Sequence, residues 1–186
     1  VAVGVLALQG DFAAHTRVLE SLGAEVVEVR RPAQLSGLDG LVIPGGESTA
    51  LLKLFDYEPG WWEALRRYRE SGGAFFGTCA GLILLAREVR NPEQRSLRFL
   101  DVVVDRNAYG RQVDSSEREG RWEDGRELEV VLIRAPRIVE RGEGVEVLAR
   151  HGEEPVLVRE GKVMAATFHP ELTGDDGVHR CFLELC

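Results

Sequence analysis

The stretch Ala74-Phe75-Phe76-Gly77-Thr78-Cys79-Ala80-Gly81-Leu82-Ile83-Leu84-Leu85 decides the fold. Ala74 to Phe76 predicts a short buried strand, and Leu82 to Arg87 predicts a helix after Gly81. The joint between them, Gly77-Thr78-Cys79-Ala80-Gly81, has the form of a nucleophile on a tight strand-to-helix turn, with Cys in place of Ser. Such a turn is strained, so the residues two before and two after the nucleophile must be small. Both are glycine here. Cys79 is then carried into a cleft above the carboxyl ends of the strands, where a helix N-terminus favours the reactive thiolate.

The same alternation extends back to the N-terminus. Val3 to Leu8 is an apolar run without a basic flank or a cleavage site, so it predicts a strand rather than a signal peptide. Asp11 can cap a helix whose positions Phe12, His15, Val18, Leu19 and Leu22 recur at three- and four-residue spacing, with Gly23 ending it. Glu25–Val29 and Gly40–Ile43 predict two more strands, and Trp61 to Arg69 a helix. Strand and helix joined by short glycine-bounded turns predict an α/β fold with a mostly parallel central sheet and flanking helices. The second half reads differently. Leu100–Val104, Leu128–Ile133, Val145–Ala149, Val156–Arg159 and Val163–Phe168 predict strands with few helices between them, a mixed or antiparallel extension of the sheet. Asp114 to Arg126 is polar and predicts an exposed loop, and Thr173–Cys186 a terminal helix. No repeat or linker interrupts residues 1–186, so a single domain is expected.

Composition narrows the function. The chain has 186 residues, 31 acidic and 23 basic, with a formal net charge of −8. That balance argues against nucleic-acid binding, which needs clustered cations. Lys53 and Lys162 are the only lysines, so the basic set is almost entirely arginine. No stretch reaches the roughly 18 apolar residues of a membrane span. Three cysteines, Cys79, Cys181 and Cys186, make no disulfide framework, and a reducing, cytoplasmic setting is expected. Cys181 and Cys186 lack a second ligand pair, so no metal is expected.

A cysteine nucleophile needs a base. Of the four histidines, His15 falls on the core side of the first helix, His151 precedes Gly152 in a turn, and His179 is in the last helix. His169 follows a strand and is followed by Pro170 and Glu171. Residues two apart on an extended segment share a face, so Glu171 can orient His169 and complete a Cys79–His169–Glu171 triad. Ile43-Pro44-Gly45-Gly46-Glu47-Ser48 follows another strand. Its Gly46 N–H, with the N–H of Ala80, can form an oxyanion hole.

Pro-Gly-Gly-Glu-Ser, Gly-Thr-Cys-Ala-Gly and His-Pro-Glu, in that order, resemble the class I, triad-type glutamine amidotransferases, whose fold is flavodoxin-like. Further blocks sharpen the likeness: Leu6-Ala7-Leu8-Gln9-Gly10 with His15, Asp105 through Ser115, Ile133-Arg134-Ala135-Pro136, and Phe168 through Thr173. These are similar to the glutaminase subunits of pyridoxal 5′-phosphate synthases. The resemblance implies hydrolysis of L-glutamine to glutamate and ammonia through a Cys79 thioester, without a cofactor. It implies glutamine-binding positions at Gly46, Glu47, Ser48, Arg106, Ile133 and Arg134, with Arg106 suited to the substrate carboxylate. Ammonia needs an acceptor, and no acceptor domain fits in the remaining residues. The resemblance supplies a separate barrel-shaped synthase subunit in a large hetero-oligomer. The Gln9-Gly10 turn and the first helix, including Ala13 and Ala14, are expected to face it. Two features depart from the family pattern: Arg98 stands where relatives often carry Gly, and little tail follows the terminal helix. The rivals are a triad glutaminase of another synthase, such as the imidazole glycerol phosphate system, a related cysteine hydrolase or peptidase, and a non-catalytic binding subunit.

Overall fold

The computed structural model describes residues 1–107 and 115–186. Its strands are β1 (Ala2–Leu6), β2 (Glu25–Val29), β3 (Gly40–Ile43), β4 (Ala74–Thr78), β5 (Ala86–Arg90), β6 (Leu100–Asp105), β7 (Ser115–Trp122), β8 (Glu127–Ile133), β9 (Arg137–Arg141), β10 (Glu146–His151), β11 (Glu154–Glu160) and β12 (Val163–Ala166). Its α-helices are α1 (Phe12–Ser21), α2 (Ser48–Tyr57), α3 (Gly60–Glu70), α4 (Ala80–Leu85) and α5 (Gly177–Leu183). The main sheet runs β2-β1-β3-β4-β12-β11-β10-β7-β8. The first five of these strands are parallel and the rest pair antiparallel, as expected except that β12, from the second half of the chain, inserts parallel to β4 and joins the two parts of the sheet.

Strands β3, β4 and β12 are buried along their whole length. A parallel sheet covered on both faces requires this, and it is why these segments read as apolar runs rather than alternating ones. Successive side chains still divide between the faces. Leu6, Ile43 and Phe75 join one apolar cluster with Phe55, Trp61 and Leu65. Val5, Val42 and Phe76 join the other with Phe168 and Phe182. Trp61 and Trp62 are therefore core residues, with Trp61 stacked on Phe55 at 5.5 Å between ring centres.

Helix α1 starts where its cap predicts: Asp11 Oδ1 accepts from the Ala14 N–H at 3.2 Å. Other boundaries differ. β1 ends at Leu6 rather than Leu8. The helix expected over Leu82–Arg87 starts earlier and stops at Leu85, where β5 takes over. With β6 and β9, β5 builds a separate three-stranded sheet, so Leu100–Val104 is not part of the main extension. Helix α2, a 3₁₀ turn over Pro32–Leu35, and strands β5 and β9 were not among the predicted elements. The polar stretch expected as a loop contains β7, which pairs with β8 from Arg121↔Glu127 onward. Its charges sit on a strand because the main-chain ladder with β8 satisfies the backbone regardless of side-chain polarity. The terminal helix is only Gly177–Leu183. His151 closes β10 rather than lying in a turn, and its Nδ1 is 2.7 Å from the Glu119 carbonyl oxygen. Residues 108–114 of the Asp105–Ser115 block lie outside the described residues.

Candidate active site

Three parallel neighbours, β3, β4 and β12, end on the same edge of the sheet. Their registers are Ile43↔Gly77 and Ala166↔Thr78. The chain leaves β3 into Pro44-Gly45-Gly46, leaves β4 into Cys79, and leaves β12 toward His169. Parallel pairing thus brings together three motifs far apart in sequence, at the carboxyl edge where α/β sheets hold ligands.

Cys79 has φ +48 and ψ −101 between β4 and α4. This is backbone that costs a non-glycine residue about 1–2 kcal/mol. The flanking glycines have the predicted reason to be small. A Cβ on Gly77 would stand 2.5 Å from the Gly81 carbonyl carbon, and one on Gly81 would run into the Ile43 carbonyl oxygen. Cys79 Sγ is 3.1 Å from His169 Nε2 and 3.1 Å from the Thr167 carbonyl oxygen. His169 Nδ1 is 2.7 Å from Glu171 Oε1. All three side chains are buried.

The predicted reason for the His169–Glu171 pairing does not hold. Pro170–Leu172 forms a 3₁₀ turn, not an extended segment, and the turn folds Glu171 back onto His169. The His169 N–H donates to the Val131 carbonyl at 2.9 Å and ties the segment to β8. The carboxylate accepts from Nδ1–H and so fixes the ring with Nε2 facing the thiol. Burial pushes the Cys79 thiol above its usual value and the hydrogen bond and charge of His169 offset this only in part, so at rest the site does not favour the thiolate expected from the helix N-terminus. Burial opposes charge on His169 too, but the hydrogen bonds and charges of Cys79 and Glu171 outweigh it and raise the imidazole to about 10. The imidazole is thus built to take up a proton as sulfur loses one.

The Gly45–Glu47 turn is fitted closely against this group. The Gly45 N–H donates to Thr78 Oγ1 at 2.9 Å. A Cβ on Gly45 would stand 2.5 Å from His169 Cε1 and 3.3 Å from Cys79 Cβ. Gly46 has φ +147, and a side chain there would collide with the Gln9 amide, whose Oε1 accepts from the Glu47 N–H at 2.9 Å. Glu47 caps α2. Arg106 reaches the same corner, with Nη2 3.3 Å from Thr49 Oγ1 and 3.7 Å from Glu47 Oε1. Ser48 is buried, and its hydroxyl donates to Gln94 Oε1 at 3.2 Å. Ile133 and Arg134 are exposed at and just beyond the end of β8, with Arg134 at φ +44. Ala80 is the first residue of α4, where the helix itself gives the N–H no partner.

Sequence reasoning did not single out Gly45, Thr78 or Gln9 as site residues. Thr78 and Gly45 lie inside the quoted motifs, so their position was the available signal. Gln9 lies in a quoted family block too, but it was expected to face the partner rather than to hold the Gly46–Glu47 turn. Within the first helix, Ala13 is exposed but Ala14 is buried, so only Ala13 suits a surface role. Among the described residues no group of three or more His, Cys, Asp or Glu side chains could hold a metal ion. No helix there is long and apolar enough to cross a membrane.

Residues 5–186 match the model of the SNO glutamine amidotransferase family. The pyridoxal 5′-phosphate synthase subunit PdxT of Koribacter versatilis is 56% identical over 184 residues, covering 98% of this chain and 94% of its own. PdxT of Thermus thermophilus is likewise 56% identical, over 98% of this chain and 96% of its own. A solved glutamine amidotransferase superposes with a TM-score of 0.91 at 54% identity, covering 98% of this chain and 97% of its own. The PurLQS structure from Thermotoga maritima superposes at 0.70 with 17% identity, a likeness of fold alone.

Proposed function

We propose, from the premise that the chain belongs to the SNO glutamine amidotransferase family, that Cys79, His169 and Glu171 are the triad of its glutaminase reaction. The chain is a glutaminase of pyridoxal 5′-phosphate synthesis that works with a synthase partner. The observation that carries the triad is the pair of contacts through one imidazole, 3.1 Å to sulfur and 2.7 Å to a buried carboxylate.

The steps follow from that geometry. Cys79 Sγ attacks the side-chain amide carbon of glutamine as its proton passes to His169 Nε2. Negative charge develops on the amide oxygen, and the N–H groups of Gly46 and Ala80 serve as its oxyanion hole. The tetrahedral intermediate collapses. His169 returns the proton to the departing nitrogen, ammonia leaves, and a thioester remains. Water then gives a proton to His169 and attacks the thioester. The second intermediate expels the sulfur, which recovers its proton, and glutamate is released. Throughout, Glu171 holds the ring and balances its transient positive charge.

Arg106 is the cation for the substrate α-carboxylate, with Glu47 and Ser48, and Ile133 and Arg134 complete the glutamine-binding set that the resemblance implies. The whole chain acts as one glutaminase unit in the cytoplasm, docked on the synthase within a hetero-oligomer. Identity of more than half to the PdxT relatives over nearly the full chain supports this reading over a glutaminase of another synthase or a peptidase.

The test is glutamate release from L-glutamine by the chain alone, by the chain with a pyridoxal 5′-phosphate synthase subunit, and by Cys79→Ala with the same subunit. Activity that needs sulfur and rises with the partner is expected. Turnover that survives Cys79→Ala would overturn the triad.

A further inference from the structure

Behind the triad lies a pair of imidazoles that the reaction above does not use. His15 comes from α1 and His179 from α5, and both are fully buried. Phe76 stands edge-on to each ring, at 6.3 and 5.8 Å between centres. Apolar side chains would fill this space at no cost in buried polarity, so two histidines here need a reason. His15 Nδ1 is 2.9 Å from His179 Nε2. His15 Nε2 is 3.4 Å from Glu171 Oε2, the carboxylate oxygen that His169 does not use. Neither of those two atoms, nor His179 Nδ1, has another hydrogen-bond partner among the described residues.

The proton positions follow from what faces what. Burial, with the charges of His179 and His169, holds His15 well below the ordinary histidine value, and burial lowers His179 to about 4. Each ring is therefore neutral at pH 7 and carries one N–H. The charged or titratable groups facing the pair are Glu171, His169 and, toward His179, Asp176. A proton on His15 Nδ1 would turn the Nε2 lone pair toward the carboxylate oxygen, an unfavourable pairing. A proton on Nε2 makes His15 a donor toward Oε2 and frees Nδ1 to accept from His179 Nε2–H.

We propose that His15 and His179 are positioning residues for Glu171. They form a one-way string of donors, His179 Nε2–H to His15 Nδ1 and His15 Nε2–H to Glu171 Oε2, that keeps Oε1 on His169 Nδ1. This rests on the triad reading above. At 3.4 Å the last link is longer than a hydrogen bond at rest, and catalytic hydrogen bonds of unliganded sites commonly tighten when the reacting complex forms. The string moves no proton. It fixes which oxygen meets His169 and gives the other a donor.

Two measurements test this. Long-range ¹H–¹⁵N spectra of the unaltered protein report imidazole tautomers directly. Both His15 and His179 are expected to be protonated at Nε2, and a His15 protonated at Nδ1 overturns the proposal. In glutamate release with the synthase subunit present, His15→Leu is expected to lower kcat about tenfold to a hundredfold, as for a buried charged group deprived of one donor. KM for glutamine should not move. His15→Gln, whose amide can restore a donor, should recover most of the rate, and His179→Gln should outperform His179→Leu in the same way. Equal loss in the Gln and Leu variants, or a loss confined to KM, overturns the proposal. With Cys79→Ala inactive and His15→Leu fully active, the triad stands and the string falls. Activity surviving Cys79→Ala removes both.

Discussion

The buried histidines reduce the stability of the fold in acid, and His179→Gln isolates one of them. In the folded chain burial lowers His179 to about 4, against an ordinary value of 6.5. A histidine lowered on folding stabilises the fold above its unfolded value, and that stability is lost as pH falls toward the folded value. The window is therefore pH 6.5 down to about 4. At pH 5 the unfolded ring is protonated and the folded one is mostly neutral. Each pH unit below 6.5 then costs about 1.4 kcal/mol, so His179 alone accounts for about 2 kcal/mol between pH 7.5 and 5. His15 acts in the same direction. His169 is raised instead, so its contribution is complete below 6.5 and does not change further in this window. Urea unfolding at pH 7.5 and at pH 5, for the wild type and for His179→Gln, gives the comparison. Gln does not titrate, yet it can keep a donor toward His15. The wild type should lose about 2 kcal/mol more than the variant on acidification, which is about 4–8 °C in Tm for a chain of this size. Equal losses would mean that His179 is accessible or already charged, and the buried-neutral assignment would be wrong.

Three further outcomes follow from the site and its surroundings. Gly45→Ala pushes a methyl into His169 Cε1, so kcat should fall by about a hundredfold or more, as for a displacement of reacting groups by about 1 Å. Its thermal melt should change far less than its rate, and an unaffected kcat would contradict the fit of this turn against the imidazole. Arg106→Gln should raise KM for glutamine about tenfold to a hundredfold through loss of a charge-assisted contact, with less effect on kcat. A normal KM would remove Arg106 from the carboxylate site. Arg98 sits at φ +62, the region that glycine enters freely. Arg98→Gly should relieve about 1–2 kcal/mol of backbone strain against the roughly 0.5–1 kcal/mol entropic cost of glycine. A calorimetric Tm unchanged or raised by a few degrees is expected, and a clear loss would mean that the Arg98 side chain holds contacts of its own.

The local signals in this chain were strong enough to define its chemistry. Gly77-Thr78-Cys79-Ala80-Gly81 fixes a strained turn because its glycines touch each other and the β3 backbone, a constraint that acts over a few residues. Asp11 and the apolar spacing of Phe12 to Leu22 likewise specify α1 from nearby atoms alone. The runs that became β3, β4 and β12 are apolar because both faces are covered, so all three could be read as buried strands, but the parallel pairing of β12 with β4 could not, since Val163–Phe168 was expected in the antiparallel extension. Elements stabilised by distant partners could not. Ser115–Trp122 carries charges throughout and is a strand because β8 completes its main-chain hydrogen bonds. Leu100–Asp105 was legible as a strand, but its place beside β5 and β9 depended on where α4 stopped. His169 and Glu171 could be paired from spacing, yet by the wrong geometry, since the 3₁₀ turn that joins them depends on how Pro170 and Leu172 close. The contact of His15 with His179 spans 164 residues and leaves no periodicity in the sequence. The residue types and their local turns thus determined the reaction, because bonded geometry and short-range sterics are written in consecutive residues. The tertiary structure alone decided which buried groups face one another, because that depends on how distant elements pack.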